Sequence, residues 1–94
     1  MDAATSIDQA CPRLAPHYVF RWEASQDAWI LLYPEGLIKL NPSAGEILKR
    51  CNGERRVAEI VAELQAAFPG SDAAIAEGAH AFIGVACGKG WLRT

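Results

Sequence analysis

Few side chains in this chain have the types and spacing that chemistry needs. The 94 residues include two histidines, His17 and His80, and three cysteines, Cys11, Cys51 and Cys87. His17 precedes the first strand-like stretch and His80 falls in mid-helix. Neither has a second ligand at metal spacing, and the cysteines form no C-x-x-C and no zinc pattern. Cys51 and Cys87 lie on apolar helix faces, where a thiol serves as a small buried hydrophobe. Cys11 lies in a tail, open to an adventitious disulfide in air. Glu59 and Glu63 sit on the wet face of a helix. No G-x-G-x-x-G, P-loop or G-x-S-x-G occurs. An enzyme needs an acid, base, nucleophile or metal held in a pocket. Catalysis by this chain alone is therefore not expected, nor is a bound cofactor or metal. The groups left to act are backbone N–H and C=O groups along a strand.

The stretch from Tyr33 to Leu48 decides where those groups lie. Pro34 suits the second position of a β-turn because its ring presets φ, and Gly36 suits the fourth. Leu37 to Leu40 is too short for a helix and is bounded by turn residues, so it reads as a strand. Asn41 can cap a helix, with Pro42 at the first helical position where a missing N–H costs nothing. Ser43 with Glu46 is a rival capping box that starts the helix later. Upstream, Tyr18 to Ala24 alternates, with Tyr18, Phe20 and Trp22 on one face and Val19, Arg21 and Glu23 on the other. Ser25-Gln26-Asp27 makes a polar turn. Ala28 to Tyr33 contains the apolar run Trp29-Ile30-Leu31-Leu32, which fits a central strand covered on both faces.

Three strands joined by two short turns make an antiparallel meander. Three helices follow. The first runs from Pro42 to about Cys51 on the stripe Ala44, Ile47, Leu48 and Cys51, with Asn52-Gly53 as a left-handed stop. The second runs from about Arg56 to Phe68 with a poor cap, because an arginine stands where a Ser or Thr would fill the place. Pro69-Gly70 ends it. The third starts at Ser71 or Asp72 on the stripe Ile75, Ala79, Phe82, Ile83 and Ala86. Gly78 and Gly84 weaken it and suggest close packing or a bend. Gly88-Lys89-Gly90 ends it, and Trp91-Leu92 packs back as a short tail. The expected class is α+β, winged-helix-like. Residues 1–11 are expected to form a flexible tail and 12–94 one domain.

Composition narrows the partners. The formal charge is −2 and 51% of residues are hydrophobic. A nucleic-acid binder would need a basic surface to displace counterions. The second helix, Val57-Ala58-Glu59-Ile60-Val61-Ala62-Glu63-Leu64, lacks a fan of residues to reach base edges, so a DNA-binding winged helix is the lesser alternative. No apolar run approaches the roughly 20 residues of a membrane span. No signal peptide opens the chain, and the expected location is cytoplasmic.

What remains is peptide binding. The last strand of a meander has one partner, and its outer edge carries unpaired groups. A guest strand can pair there and drop alternate side chains into a groove. Gly36, Leu37, Ile38, Lys39 and Leu40 would supply the edge. Ile75, Ala79, Phe82, Ile83 and Ala86 would supply the floor, unless those helix residues are simply core. Lys39 is either an edge-protecting charge or a contact for an acidic peptide. The same edge admits a homodimer, by edge pairing or by a strand swap.

Several of these residues carry a family resemblance. Pro12-Arg13-Leu14 leads into Leu31-Leu32-Tyr33-Pro34-Glu35-Gly36. Then come Leu40-Asn41-x-Ser43-Ala44-x-x-Ile47-Leu48, Gly53, and Val57-x-Glu59-Ile60-Val61-x-x-Leu64. Joined, these motifs resemble the PqqD family of pyrroloquinoline quinone biosynthesis, over about Pro12 to Trp91. Cys51-Asn52-Gly53 departs from the pattern, where the family commonly has an Asp before the glycine. Arg55-Arg56 departs where a Ser or Thr cap is common. The resemblance implies a winged-helix-like peptide chaperone, a RiPP recognition element. Such a module holds the leader of the precursor peptide PqqA and presents it to the radical SAM enzyme PqqE, which joins Glu and Tyr side chains of the peptide. It implies no chemistry and no cofactor on this chain. A module of the same fold serving another ribosomal peptide pathway is the neighbouring alternative.

Overall fold

The structure is a computed structural model that describes residues 7–94. Its strands are β1 (Arg13–Leu14), β2 (Val19–Glu23), β3 (Ala28–Tyr33), β4 (Gly36–Lys39) and β5 (Leu92–Arg93). Its helices are α1 (Pro42–Leu48), α2 (Val57–Ala67) and α3 (Asp72–Gly88). Strands β2, β3 and β4 form the antiparallel meander in that order. Asp27, at φ 50°, closes the β2–β3 turn. Pro34 and Glu35 form the β3–β4 turn between the paired residues Tyr33 and Gly36.

Pairing register fixes which side chains share a face. Phe20, Leu31 and Ile38 stand opposite one another and face the helices. Phe20 stacks on Trp29 with ring centroids 4.4 Å apart, and Trp22 meets Trp29 edge-on. The other face carries Val19, Leu32 and Leu37 in one row and Arg21, Ile30 and Lys39 in the next. The expected cover on both faces of β3 is half met. Leu31 lies in the main core cluster, Ile30 is buried on the opposite face outside that cluster, and Val19, Leu32 and Leu37 neither belong to the cluster nor pack on it. Ile30 is only 3% exposed. Its cross-strand neighbours Arg21 and Lys39 offer alkyl stems to cover it.

The helices start largely where the sequence places them. Asn41 Oδ1 accepts from the Ala44 N–H at 2.8 Å, and Ser43 donates its hydroxyl to the same oxygen. The Asn41 cap therefore prevails over the Ser43 box. The poor cap of α2 is made good by one group of its own first turn and one from the N-terminal segment. Glu59 accepts from the Arg56 N–H, and the Ala10 carbonyl accepts from the Val57 N–H. Of the expected tail, residues 1–6 lie outside the described residues, and 7–11 thus meet the helices. Ile7 and Ala10 pack on the core, and His80 Nε2 lies 2.7 Å from Asp8 Oδ1.

A Schellman turn ends α3: the Gly90 N–H reaches the Cys87 carbonyl and the Trp91 N–H reaches Ala86. It turns the chain back so that β5 pairs with β1. The expected short tail is therefore a strand. Its partner is distant in sequence, and two residues are too few to show a period. Among the described residues no helix is long and apolar enough to cross a membrane.

Gly45 is where α1 meets the sheet. A Cβ there would lie 2.4 Å from Trp29 Cδ1. Gly78 and Gly84 face open space, with nothing within 4 Å of an added Cβ; the close packing expected of them belongs to Gly45 instead. Gly45→Ala should destabilise the fold. Overpacking costs about 1–3 kcal/mol, more than the roughly 1 kcal/mol that Ala gains over Gly in a helix. Gly84→Ala should stabilise by about 1 kcal/mol. Urea unfolding followed by tryptophan fluorescence tests both, and equal midpoints for the two variants would contradict this packing.

Candidate functional site

Strand β4 pairs with β3 on one side and, among the described residues, with nothing on the other. Opposed residues in an antiparallel pair alternate between hydrogen-bonded and non-hydrogen-bonded. The Leu40 N–H reaches the Trp29 carbonyl at 2.9 Å, which sets the phase. Gly36, Ile38 and Leu40 therefore turn their backbone groups toward β3. Leu37 and Lys39 turn theirs outward.

A groove of about 840 Å³ runs beside that edge. Its walls are Ile38 and Lys39 on β4, Leu40 just beyond that strand, and Ile75, Gly78, Ala79 and Phe82 on α3. Pro42, Ser43, Glu46 and Ile47 close it from α1, and Leu64, Phe68 and Trp91 also line it. A smaller hollow of about 450 Å³ shares Lys39, Leu40, Asn41, Pro42 and Glu46 with the groove and ends at Trp22 and Trp29. Both volumes fall in the range of natural ligand pockets.

The ten residues expected at a peptide site divide in three. Ile38, Lys39, Leu40, Ile75, Ala79 and Phe82 line the groove. Gly36 and Leu37 lie on the same strand but outside the lining, and Leu37 is 51% exposed on the outer face. Ile83 and Ala86 have no exposure and lie in the core. Sequence reasoning passed over Phe68, Gly78, Glu46 and Trp91 as lining. Phe68 ends the α2 stripe one residue beyond the helix, where the core no longer reaches it, and is 49% exposed. That position next to Pro69-Gly70 is the signal that could have marked it.

One of the charges lining the groove, the Glu46 carboxylate, is tied down. Arg50 donates to Glu46 at 2.9 Å and holds its carboxyl below the usual range, with Lys49 adding to the effect. Glu63 on α2 lies 3.4 Å from Arg50 Nε and also binds Arg55. This network clamps α1 to α2. No group of three or more His, Cys, Asp or Glu comes together as a metal site among the described residues. Cys51 is buried and its thiol reaches the Ile47 carbonyl at 3.3 Å. Asn52, Arg55 and Arg56, where the family pattern is broken, are absent from the groove lining.

Residues 28–92 match the family model described as Coenzyme PQQ synthesis protein D (PqqD). The chain belongs to the PqqD family. A PqqA binding protein from Pseudomonas aeruginosa is 48% identical over 87 residues, which cover 93% of this chain and 92% of that one. Another, from Azotobacter vinelandii, is 44% identical over 81 residues, covering 86% and 87%. The solution structure of the PqqD truncation of Methylobacterium extorquens PqqCD, described as a functional and stand-alone RiPP recognition element, aligns with a TM-score of 0.74. It covers 88% of each chain at 24% identity, so it shows a shared fold. Within this chain the matched region spans β3, β4, all three helices and the first residue of β5.

Burial pushes the Cys51 thiol up to about 12, with Cys87 adding to the rise. Unfolded, the thiol loses its proton near pH 8.5. Its contribution to stability is whole below that pH and is lost as pH climbs toward 12. Urea midpoints measured from about pH 8 to 11 should fall more steeply for the native chain than for Cys51→Ala. Equal slopes would contradict a thiol held neutral by the core.

Proposed function

We propose that this chain is a peptide chaperone of pyrroloquinoline quinone biosynthesis. It binds the precursor peptide PqqA as an added strand on β4, in the groove between β4 and α3, and presents it in the cytoplasm to the radical SAM enzyme PqqE. The chain does no chemistry on the peptide. The observation that carries this reading is the outward edge of β4 beside an apolar groove. Strand addition needs both: backbone groups for affinity and a cavity for alternate side chains. The relatives named as PqqA binding proteins support the choice of peptide.

Leu37 and Lys39 exchange backbone hydrogen bonds with the guest on this reading. Ile38 and Leu40 meet those guest side chains that point toward Ile75, Ala79 and Phe82. A guest segment of this kind buries an interface at the small end of specific complexes, consistent with affinity on the order of micromolar. The same edge would seat β4 of a second copy, so self-pairing and peptide binding exclude one another.

Proline distinguishes the two phases of β4, because it removes an N–H. Lys39→Pro should leave the chain folded and weaken PqqA binding about tenfold or more, since a guest carbonyl loses its donor. Ile38→Pro should unfold the hairpin instead, by cutting the ladder to β3. Gly78→Leu should keep the fold and block the groove, since an added Cβ meets nothing within 4 Å. Calorimetric titration with PqqA, with circular dichroism as the folding control, reads all three. Undiminished PqqA binding by folded Lys39→Pro and Gly78→Leu chains would overturn the assignment.

A further inference from the structure

The outer face of the sheet carries information about the guest that the groove does not. Any strand added to β4 sends alternate side chains to that face, beside Leu37 and Lys39. Two rows already cross the sheet there. Val19, Leu32 and Leu37 form an apolar row in register, with Val19 53% and Leu37 51% exposed. Arg21, Ile30 and Lys39 form the next. Arg21 is neutralised by Glu23 at 2.9 Å. Lys39 is exposed and has no ion-pair partner among the described residues. Each row thus stops at the open edge with one position to fill.

Cross-strand neighbours stabilise a sheet when apolar meets apolar and opposite charges meet, and like charges repel. We propose that Lys39 and Leu37 read the guest: the residue seated across from Lys39 is a carboxylate, and the residue two positions away, across from Leu37, is apolar. Between them a third side chain points to the other face, into the groove beside Ile38. The guest class is therefore a peptide segment with Asp or Glu two residues from an aliphatic or aromatic side chain. This rests on the strand-addition reading of the same edge and adds a sequence rule to it. The rule holds whichever way the guest runs, because alternation is the same in both directions.

The stem and the charge of Lys39 are separable. Lys39→Met keeps an alkyl stem over Ile30 and removes the ammonium, whereas Lys39→Glu reverses the charge. The test titrates PqqA, and PqqA variants with each carboxylate changed in turn to lysine, against the native chain and both variants. Lys39→Met should bind PqqA a few-fold more weakly and Lys39→Glu about fivefold or more, with the loss shrinking in high salt. One PqqA carboxylate-to-lysine variant should bind Lys39→Glu better than it binds the native chain. The rule is overturned alone if Lys39→Pro abolishes binding while Lys39→Met and Lys39→Glu bind PqqA as the native chain does. It is overturned equally if no peptide variant regains affinity on Lys39→Glu. If Lys39→Pro binds normally, the strand-addition reading falls and the rule falls with it.

Discussion

The contact between Gly45 and Trp29 governs how the two layers of this molecule meet. The first turns of α1 can reach β3 only because residue 45 has no side chain to strike the indole. Phe20 and Trp22 hold that indole from the sheet side. Helix α1 thus docks on the central strand, α2 packs on α1, and α3 packs on α2 and β5. The helical layer is joined to the meander through β3. Strand β4 is left with α3 standing off across a groove, not lying on its edge.

A short strand then carries two sets of groups in alternation. Gly36, Ile38 and Leu40 spend their backbone groups on β3, which keeps the hairpin intact. Leu37 and Lys39 keep theirs for whatever arrives. An edge of this kind is a hazard for a soluble protein. Its length, four residues, and the charge on Lys39 limit that hazard. Several residues of the groove's lining are themselves held in place. Glu46, Arg50, Glu63 and Arg55 tie α1 to α2, and the Schellman turn brings Trp91 to within 6.4 Å of Phe82.

Much of this was legible in the sequence because local chemistry fixed it. Pro34 and Gly36 announced the hairpin, Asn41 and Pro42 announced α1, and the stripes of α2 and α3 were regular. The edge followed from counting strands. Features that depend on distant partners left no such trace. Strand β5 exists only because β1 lies across from it, and nothing near Leu92 signals that. Glu59, three residues after Arg56, was the local half of the α2 cap; the other half, the Ala10 carbonyl, is revealed by no motif around Arg56. The groove floor was misjudged at Ile83 and Ala86 because a helical stripe is broad. Its centre sinks into the core, while the partly buried Ile75 and Phe82 along one side reach the groove, with the buried Ala79 between the two. Gly78 read as a packing glycine, whereas the structure has it facing open space.

The most direct measurement is amide hydrogen exchange along β4, residue by residue, without and with PqqA. In the free chain, Ile38 and Leu40 should exchange slowly, held by β3, and Leu37 and Lys39 rapidly. Saturating PqqA should slow Leu37 and Lys39 and leave Ile38 and Leu40 as slow as before. Slow exchange at Leu37 and Lys39 before any peptide is added, or fast exchange that persists once PqqA is bound, would contradict the account.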